Sequence, residues 1–218
     1  MKKEKILVLA PAGAGKTYMT EHYKNVVDFE YLFHLWDYDE DVKDWPYDKL
    51  KGIPNRKPNS EWPWNYIEDV KNELESGRIV VIPGLPNSYY AFCVIGREYL
   101  GKDVRIILAA HHEDNYESLA EIFRRRGNPE SFVDMVRPLY KQTNELYRNC
   151  KNAEYIEIPK GKFLADILIE HGIKLETGTG IIKENREGGR PLKDKYQNKL
   201  DEKQKYKVDI KASTIKKL

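Results

Sequence analysis

The sequence predicts an α/β fold in which helices cover both faces of a parallel β-sheet. Two observations lead to this prediction. Five short apolar segments alternate along the chain with longer segments whose apolar residues recur at helical spacing. Strands separated by helices are joined by right-handed crossovers, which produce a parallel sheet wrapped on both faces. The first apolar segment, residues 6–11, contains no polar residue, as is typical of a strand at the centre of such a sheet.

Turn residues set the ends of the predicted elements. Gly77, Gly101, Gly127 and Gly172 each follow a helical pattern, at the position where a left-handed residue commonly ends a helix. Pro129 stands near the first turn of the next helix, where proline is well tolerated. The resulting prediction places strands at residues 6–11, 26–30, 79–84, 104–110 and 154–158, and helices at residues 16–23, 64–75, 89–100, 116–126, 129–149 and 163–171.

A long connection at residues 31–63 interrupts this alternation. It contains many aromatic residues and several prolines, and connections of this length inside a domain are usually lids, binding loops or disordered segments. All 4 tryptophans of the chain lie between Trp36 and Trp64. Their rings could pack the connection onto the domain or stack on a nucleobase, and the sequence leaves both interpretations open.

The charge distribution divides the chain into two parts. The 218 residues carry a formal net charge of +2, but residues 174–218 hold 13 basic and 7 acidic side chains, which leaves the rest of the chain acidic. We therefore expect a globular domain at residues 1–174 and a basic extension at residues 175–218. The extension is lysine-rich, so it could be a solvated tail, an element that docks on a protein or a second copy of the chain, or a nucleic-acid contact.

The composition favours a reducing compartment and gives no sign of a membrane partner. No apolar segment approaches the ~20 residues that a transmembrane helix needs. The charged amino terminus leads directly into the first strand, without the pattern of a signal peptide. The two cysteines, Cys93 and Cys150, lack metal-ligand spacing and fit a reducing environment. We therefore expect a cytoplasmic protein.

The most informative segment is the turn between the first strand and the first helix. Residues 10–17 read Ala-Pro-Ala-Gly-Ala-Gly-Lys-Thr, which matches the pattern G-x-x-x-x-G-K-[ST] except that Ala10 replaces the first glycine. That position needs a small residue more than a positive φ angle, so alanine is a mild change. We call residues 10–17 the glycine loop.

The glycine loop predicts a binding site for a nucleoside triphosphate, with ATP and Mg²⁺ as the expected cofactors. Successive N–H groups of such a loop and of the following helix N-terminus can donate to phosphate oxygens. Lys16 would reach the β- and γ-phosphates, and the Thr17 hydroxyl would coordinate Mg²⁺. The residues expected to contact the nucleotide are Ala12, Gly13, Ala14, Gly15, Lys16, Thr17 and Tyr18.

A second protein ligand for the metal has fewer candidates. Neither the third nor the fourth predicted strand ends in the acidic residue that helicase-type and transporter-type ATPases require. The available carboxylates are Asp28, at the end of the second strand, and Glu113, just after the fourth. The adjacent His111 and His112 cannot chelate one ion from a strand, because their side chains point to opposite faces.

Three consecutive arginines end the helix that follows the fourth strand. The planar guanidinium group of arginine binds phosphate oxygens in a bidentate manner and can stabilise the charge of a phosphoryl-transfer transition state. Successive residues of a helix lie about 100° apart, so Arg124, Arg125 and Arg126 cannot all face one cleft. We expect Arg124 and Arg126 to face it and to act in catalysis. The alternative is a cationic cap on the helix C-terminus.

These features resemble the P-loop nucleoside and nucleotide kinases, above all the small adenylate-kinase-like proteins of phages of Gram-positive bacteria. The resemblance spans residues 4–174 and rests on the glycine loop, on Asp28 and on the arginines after the fourth strand. In addition, residues 82–86, Ile-Pro-Gly-Leu-Pro, stand where adenylate kinases carry Asp-Gly-Phe-Pro-Arg, with Pro83 in the place of the aspartate.

The resemblance implies a three-layer P-loop fold with a five-stranded parallel sheet in the order 2-3-1-4-5. It also implies an acceptor site formed by the segments after strands two and three, and an arginine-bearing lid after strand four. By position, Asp28 would lie near the acceptor and the metal, and Arg97 would lie near the acceptor. Arg124, Arg125 and Arg126 would belong to the lid.

Three functions are compatible with these observations. The first is transfer of the γ-phosphate of ATP to a nucleoside monophosphate or a similar nucleotide. The second is a kinase for a polynucleotide end or a modified base in DNA, with the basic extension binding the nucleic acid. The third is a nucleotide-binding switch or assembly protein, whose extension holds a protein partner or a second copy of the chain in a homo-oligomer.

Overall fold

Strands and helices alternate through most of the chain, as a computed structural model shows for residues 4–45, 47–50, 53–183, 206–209 and 214–217. The strands are β1 (Lys5–Ala10), β2 (Val26–Phe29), β3 (Trp36–Tyr38), β4 (Arg56–Pro58), β5 (Ile79–Pro83), β6 (Val104–His111), β7 (Glu154–Ile158), β8 (Ile181–Lys183), β9 (Tyr206–Asp209) and β10 (Thr214–Lys217). The α-helices are α1 (Lys16–His22), α2 (Leu32–Leu35), α3 (Tyr47–Leu50), α4 (Trp64–Glu75), α5 (Pro86–Tyr89), α6 (Arg97–Leu100), α7 (Tyr116–Arg125), α8 (Glu130–Arg148) and α9 (Leu164–Glu170). A π-helical turn (Tyr90–Ile95) precedes α6, and a 3-10 turn (Glu113–Asn115) precedes α7. None of the helices in these ranges is long and apolar enough to cross a membrane.

The centre of the fold is a six-stranded parallel sheet with the strand order β7-β6-β1-β5-β2-β8. β1 lies in the middle and pairs with β5 on one side and with β6 on the other. Because the strands are parallel, their carboxyl ends meet at one edge of the sheet. The chain therefore leaves β1 between the ends of β5 and β6, at the edge where ligands bind in open α/β sheets.

The sheet has six strands in the order β7-β6-β1-β5-β2-β8, whereas the resemblance implies a five-stranded sheet in the order 2-3-1-4-5. The five segments predicted as strands lie in the order β2, β5, β1, β6, β7, and β8 adds a sixth strand beside β2. β3 and β4 form a separate antiparallel ribbon inside the long connection. Strands of only three residues, such as β8, are too short to give a periodic pattern in the sequence.

Helices cover both faces of the sheet, so the core has two layers. On one face, Leu7 and Leu9 pack in a cluster with apolar residues of α4 and of the π-helical turn. On the other face, Ile6 and Val8 pack in a cluster with Met19 of α1 and with apolar residues of α9. The alternation of β1 side chains between two apolar layers explains why this strand contains no polar residue after its first position.

The segment predicted as one helix at residues 89–100 is divided into three pieces. α5 begins at Pro86, the π-helical turn follows, and α6 begins after Gly96. A Cβ atom on Gly96 would lie 2.8 Å from Ile67 Cδ1 of α4 and 2.8 Å from the Ala91 carbonyl oxygen. Glycine therefore permits the close approach of α4 at the point where the helix is broken.

The long connection packs on the domain through its aromatic residues. Trp62 is buried and stacks on Tyr66 of α4, with 5.6 Å between the ring centroids. The Arg56 guanidinium lies 4.2 Å from the centroid of the Trp36 ring. Trp45, in contrast, is 46% exposed. Packing thus accounts for Trp36 and Trp62, and it leaves Trp45 as an accessible ring.

The first residues of the predicted extension belong to the domain. Asn25 donates to the Lys174 carbonyl at 2.9 Å and accepts from the Glu176 N–H at 2.8 Å. β8 then pairs with β2, so the boundary predicted after residue 174 lies inside the structured unit. Further along, β9 and β10 form an antiparallel ribbon, and the other residues beyond 183 lie outside the described part of the chain.

Removal of β8 tests this boundary. A chain that ends after Lys183 should unfold about 4–8 °C above a chain that ends after Lys174, because the shorter chain loses the pairing of β8 with β2 and the Glu176 hydrogen bond. Thermal unfolding followed by circular dichroism measures the difference. Equal midpoints for the two shortened chains would show that β8 does not stabilise the sheet.

Candidate functional site

The glycine loop leaves β1 and turns back to start α1 at Lys16. Gly13 has a φ angle of 80° and Gly15 a φ angle of 92°, left-handed conformations that glycine adopts without strain. A Cβ atom on Gly13 would lie 2.8 Å from Leu119 Cδ2 of α7, and one on Gly15 would lie 3.3 Å from Phe163 Cδ1. The left-handed backbone angles therefore favour glycine at both positions, and Leu119 and Phe163 lie close beside the loop.

Several backbone N–H groups of the loop have no acceptor among the described residues. The Ala14 N–H donates to the Pro11 carbonyl at 3.3 Å, which closes a turn inside the loop. The Lys16 side chain is half-buried, and its Nζ lies 3.5 Å from the same carbonyl. Converging N–H groups and an ammonium group together form a suitable site for an anion. The loop N–H groups without an acceptor among the described residues are those of Ala12, Gly13, Gly15, Lys16 and Thr17.

Two buried side chains bind the loop through the Ala12 carbonyl. This carbonyl accepts a hydrogen bond from Tyr140 Oη of α8 at 2.5 Å, and it lies 3.1 Å from His111 Nε2 at the end of β6. Asn144, one turn after Tyr140, donates from Nδ2 to the His111 carbonyl at 3.0 Å. These contacts join the loop to residues that are 128 and 99 positions away in the sequence.

His111 is neutral in this environment. Its side chain is buried, and burial lowers its pKa to about 4. The hydrogen bond with the Ala12 carbonyl opposes this shift, and the nearby charge of Lys16 adds to it. A neutral ring that donates from Nε2 has its free electron pair on Nδ1, which is buried without a hydrogen-bond partner among the described residues. The sequence pattern excludes His111 and His112 as joint ligands of one metal ion, and it gives no sign that His111 contacts the glycine loop.

An antiparallel pair of helices, α7 and α8, packs over the loop. Residues 126–129 join the two helices, with Gly127 at a φ angle of 78° and the Asn128 N–H donating to the Phe123 carbonyl at 3.1 Å. A cavity of about 170 Å³ lies between the helices. The apolar residues that they share are Tyr116, Leu119, Phe123, Val133, Val136 and Tyr140.

Two of the three arginines at the end of α7 form ion pairs on the surface. Arg124 Nη2 lies 2.5 Å from Glu130 Oε1, and the Arg124 side chain is 49% exposed. Arg125 Nη2 lies 3.5 Å from Glu121 Oε2, and its side chain is 80% exposed. The guanidinium that was predicted to face the cleft from Arg124 is therefore held by a carboxylate of α8.

Arg126 caps the carboxyl end of α7, and its side chain is exposed. Burial raises the pKa of Tyr140, and the positive charge of Arg126 acts in the opposite direction. No ion-pair partner of Arg126 occurs in the part of the chain that the structure describes.

The carboxylates predicted for the metal lie in different surroundings. Asp28 is buried in β2, in register with Val81 of β5, which is itself paired with Val8 of β1. Asp28 therefore lies level with Val8 in the sheet, and Val8 is two residues before Ala10, where the glycine loop begins. Glu113 begins the 3-10 turn after β6 and is exposed.

Arg97 lies at the opposite edge of the sheet from the glycine loop. Its guanidinium donates to the carbonyls of Gly101 at 2.9 Å and of Val104 at 3.3 Å. Val104 is the first residue of β6, and the amino ends of parallel strands lie away from the edge where β1 ends. The structure therefore does not bring Arg97 together with the loop, and gives it a role in fixing the turn before β6.

The turn after β5 contacts the start of the glycine loop. The Gly84 N–H donates to the Ala10 carbonyl at 2.7 Å. A Cβ atom on Gly84 would lie 2.7 Å from the carbonyl carbon of Ala10 and 2.9 Å from the Pro11 nitrogen. Asn87, in α5, is buried, and its Oδ1 has no hydrogen-bond partner among the described residues. This segment therefore forms one wall beside the loop.

The fold and the loop define an α/β protein whose candidate site lies at the carboxyl end of the central strand. No protein-family model matches the sequence, and a search of the curated proteins found no match. The site is therefore interpreted from its own residues and geometry.

Protonation of His111 should destabilise the fold at acid pH. Its folded-state pKa of about 4 lies below the ordinary value of 6.5, so between these values the unfolded chain binds more protons. The stabilisation is complete above about pH 6.5 and is lost as the pH falls toward 4. Compared with His111→Gln, the wild type should lose about 2 kcal/mol more free energy of unfolding between pH 8 and pH 5. Urea titrations measure this, and an equal loss in both proteins would contradict a buried neutral ring.

Proposed function

We propose that the chain binds a nucleoside triphosphate with Mg²⁺ at the glycine loop and transfers its γ-phosphate to a nucleotide acceptor, such as a nucleoside monophosphate. The observation that carries this proposal is the loop itself. Two left-handed glycines, the Lys16 ammonium and several N–H groups without an acceptor lie together at the end of the central strand. These are the groups that bind the phosphates of a nucleotide in loops of this pattern.

In the proposed site, the phosphates are bound both by the backbone of the loop and by the Lys16 side chain. The N–H groups of the loop donate to the phosphate oxygens, and Lys16 supplies a positive charge that spans the β- and γ-phosphates. The Ala12 carbonyl is kept away from the anion, because Tyr140 and His111 already engage it on the protein side. A neutral His111 is consistent with this arrangement, since Lys16 supplies the charge that the phosphates need.

Mg²⁺ would neutralise phosphate charge and polarise the transferred group when it is bound. The chain offers it the hydroxyl of Thr17, which is exposed next to Lys16 and has no side-chain hydrogen bond to a described residue. Hydroxyl and carboxylate oxygens, together with substrate phosphates, are the ligands that Mg²⁺ prefers. Asp28 of β2 is the carboxylate that we assign to the same ion.

Arg126 is the residue that we assign to the transferring phosphoryl group. In a loose transition state the charge spreads over the equatorial oxygens, and a positioned guanidinium stabilises it. Arg126 has no ion pair among the described residues, whereas Arg124 and Arg125 are paired with glutamates. Arg124 would have to separate from Glu130 before it could reach the phosphates.

Exposed aromatic rings beside the loop support a nucleotide as the ligand. Phe163, at the start of α9, is 51% exposed and packs against Gly15. Tyr18 in α1 is 47% exposed and stacks on His22, with 3.9 Å between the ring centroids. Accessible aromatic faces next to a phosphate site can stack on a nucleobase.

A second candidate is a protein that binds the nucleotide without transferring its phosphate. Two observations favour it. β5 ends at Pro83 and Gly84 follows it, so no acidic residue stands at the end of this strand. The apolar side chains of Leu119 and Phe123 also lie next to Gly13, close to where the phosphates would bind. A nucleic-acid or protein partner for the basic extension stays a prediction, because most of residues 184–218 lies outside the described part of the chain.

Substitution of Lys16 tests the binding step. Lys16→Ala should weaken the binding of Mg-ATP at least about tenfold in titration calorimetry, because the charge beside the loop donors is lost. Lys24→Ala is the matched control, since Lys24 follows the same helix, is 61% exposed and pairs with Glu176. Equal affinities for the two variants would contradict a phosphate site at the glycine loop.

Substitution of the arginines tests the transfer step. In an assay of ADP release with nucleoside and deoxynucleoside monophosphates, Arg126→Gln should lower kcat about 100-fold. Arg125→Gln should stay within about twofold of the wild type, because its side chain is 80% exposed and pairs with Glu121. Tight ATP binding without turnover on any of these acceptors would favour the binding protein over the kinase.

A further inference from the structure

The cavity between α7 and α8 takes no part in the proposed phosphate site. Two exposed ion pairs join the helices around it: Arg137 Nη1 lies 3.0 Å from Glu117 Oε1, and Arg124 pairs with Glu130. Its walls are mostly apolar and buried, and they combine aromatic rings with aliphatic side chains. The main wall residues are Tyr116, Phe123, Tyr140, Leu119, Val133 and Val136.

The cavity is large enough for an aromatic ring. Its volume is about 170 Å³. For comparison, an apolar protein cavity of about 150 Å³ stays free of water and takes up benzene. Side chains that border an empty space lack dispersion contacts on that side, and a ligand of matching size restores them. The space between α7 and α8 therefore suits a molecule of one or two small rings.

The charges at the cavity favour an uncharged ligand. The charged residues that line it are two arginines, Arg124 and Arg137, and two acids, Glu117 and Asp134. These charges cancel, and both arginines already pair with glutamates. An ammonium or carboxylate ligand would lose its water without meeting a net opposite charge. The rings in the walls favour an aromatic ligand, because aromatic pairs attract each other in edge-to-face and offset arrangements.

We propose that this cavity binds a small uncharged aromatic molecule of one or two rings, and that the bound molecule weakens nucleotide binding at the glycine loop. The binding site follows from the cavity alone. The effect on the nucleotide rests on the proposed function of the loop.

The cavity and the glycine loop share wall residues. Leu119 and Phe123 line the cavity, and a Cβ atom on Gly13 would lie 2.8 Å from Leu119 Cδ2 and 3.4 Å from Phe123 Cζ. Tyr140 also lines the cavity, and it donates to the Ala12 carbonyl. A molecule that fills the cavity holds Leu119 and Phe123 against the loop, where apolar side chains disfavour charged phosphates. The two ligands therefore oppose each other, and each weakens the other by the same factor.

Thermal unfolding of the full-length protein with indole tests the binding site. Indole at about 1 mM should raise the unfolding midpoint of the wild type by about 2 °C or more, because it binds the folded chain. Ala120→Leu places a larger side chain in the cavity and should show no rise. Ser118→Leu is the matched control, since it adds the same side chain to α7 outside the cavity lining, and it should respond as the wild type does. Indole-3-carboxylate and tryptamine, the anionic and cationic analogues, should raise the midpoint less than indole.

Three results would overturn the binding site. These are no rise for the wild type, an equal rise for Ala120→Leu, or a larger rise with either charged analogue. If Ala120→Leu fails to fold, nuclear Overhauser contacts between indole and the wild type decide the matter. Contacts with the methyl groups of Leu119, Val133 and Val136 support the site, and contacts confined to other residues contradict it.

Titration calorimetry with Mg-ATP tests the effect on the glycine loop. Saturating indole should weaken the affinity of the wild type about fivefold and leave that of Ala120→Leu unchanged. Equal or tighter binding by the wild type in the presence of indole would overturn the effect. A wild type that binds no Mg-ATP even without indole would overturn the proposed function and the effect with it, whereas the unfolding midpoint still decides whether the cavity is a site.

Discussion

The hydrogen bonds to the Ala12 carbonyl are the contacts on which the rest of the site depends. A loop of small residues has little side-chain packing to hold it, so its shape must be fixed through its backbone. Tyr140 and His111 do this from α8 and β6, and the buried surroundings of both side chains make these bonds strong and costly to break. Both contacts engage the Ala12 carbonyl, and the N–H groups of the residues just after it have no acceptor among the described residues, apart from that of Ala14.

The same contacts explain why the helix pair α7–α8 lies so close to the loop. Tyr140 can reach Ala12 only if α8 lies over the end of β1, and this position brings Leu119 of α7 against Gly13. The left-handed backbone angle at position 13 favours glycine, and the approach of Leu119 places α7 directly against the loop.

The sequence predicted those parts of the site that depend on neighbouring residues. The strand, the glycines and the lysine of the loop follow one another, so their pattern is visible in a single segment. Tyr140 and His111 could not be found in this way, because they meet the loop from 128 and 99 residues away and fit ordinary helix and strand patterns. Arg97 was predicted to lie near the acceptor because of its position along the chain. That position does not show that its guanidinium donates to carbonyls at the amino end of β6. β8 was missed because its stability comes from pairing with β2, and its own three residues are surrounded by polar residues.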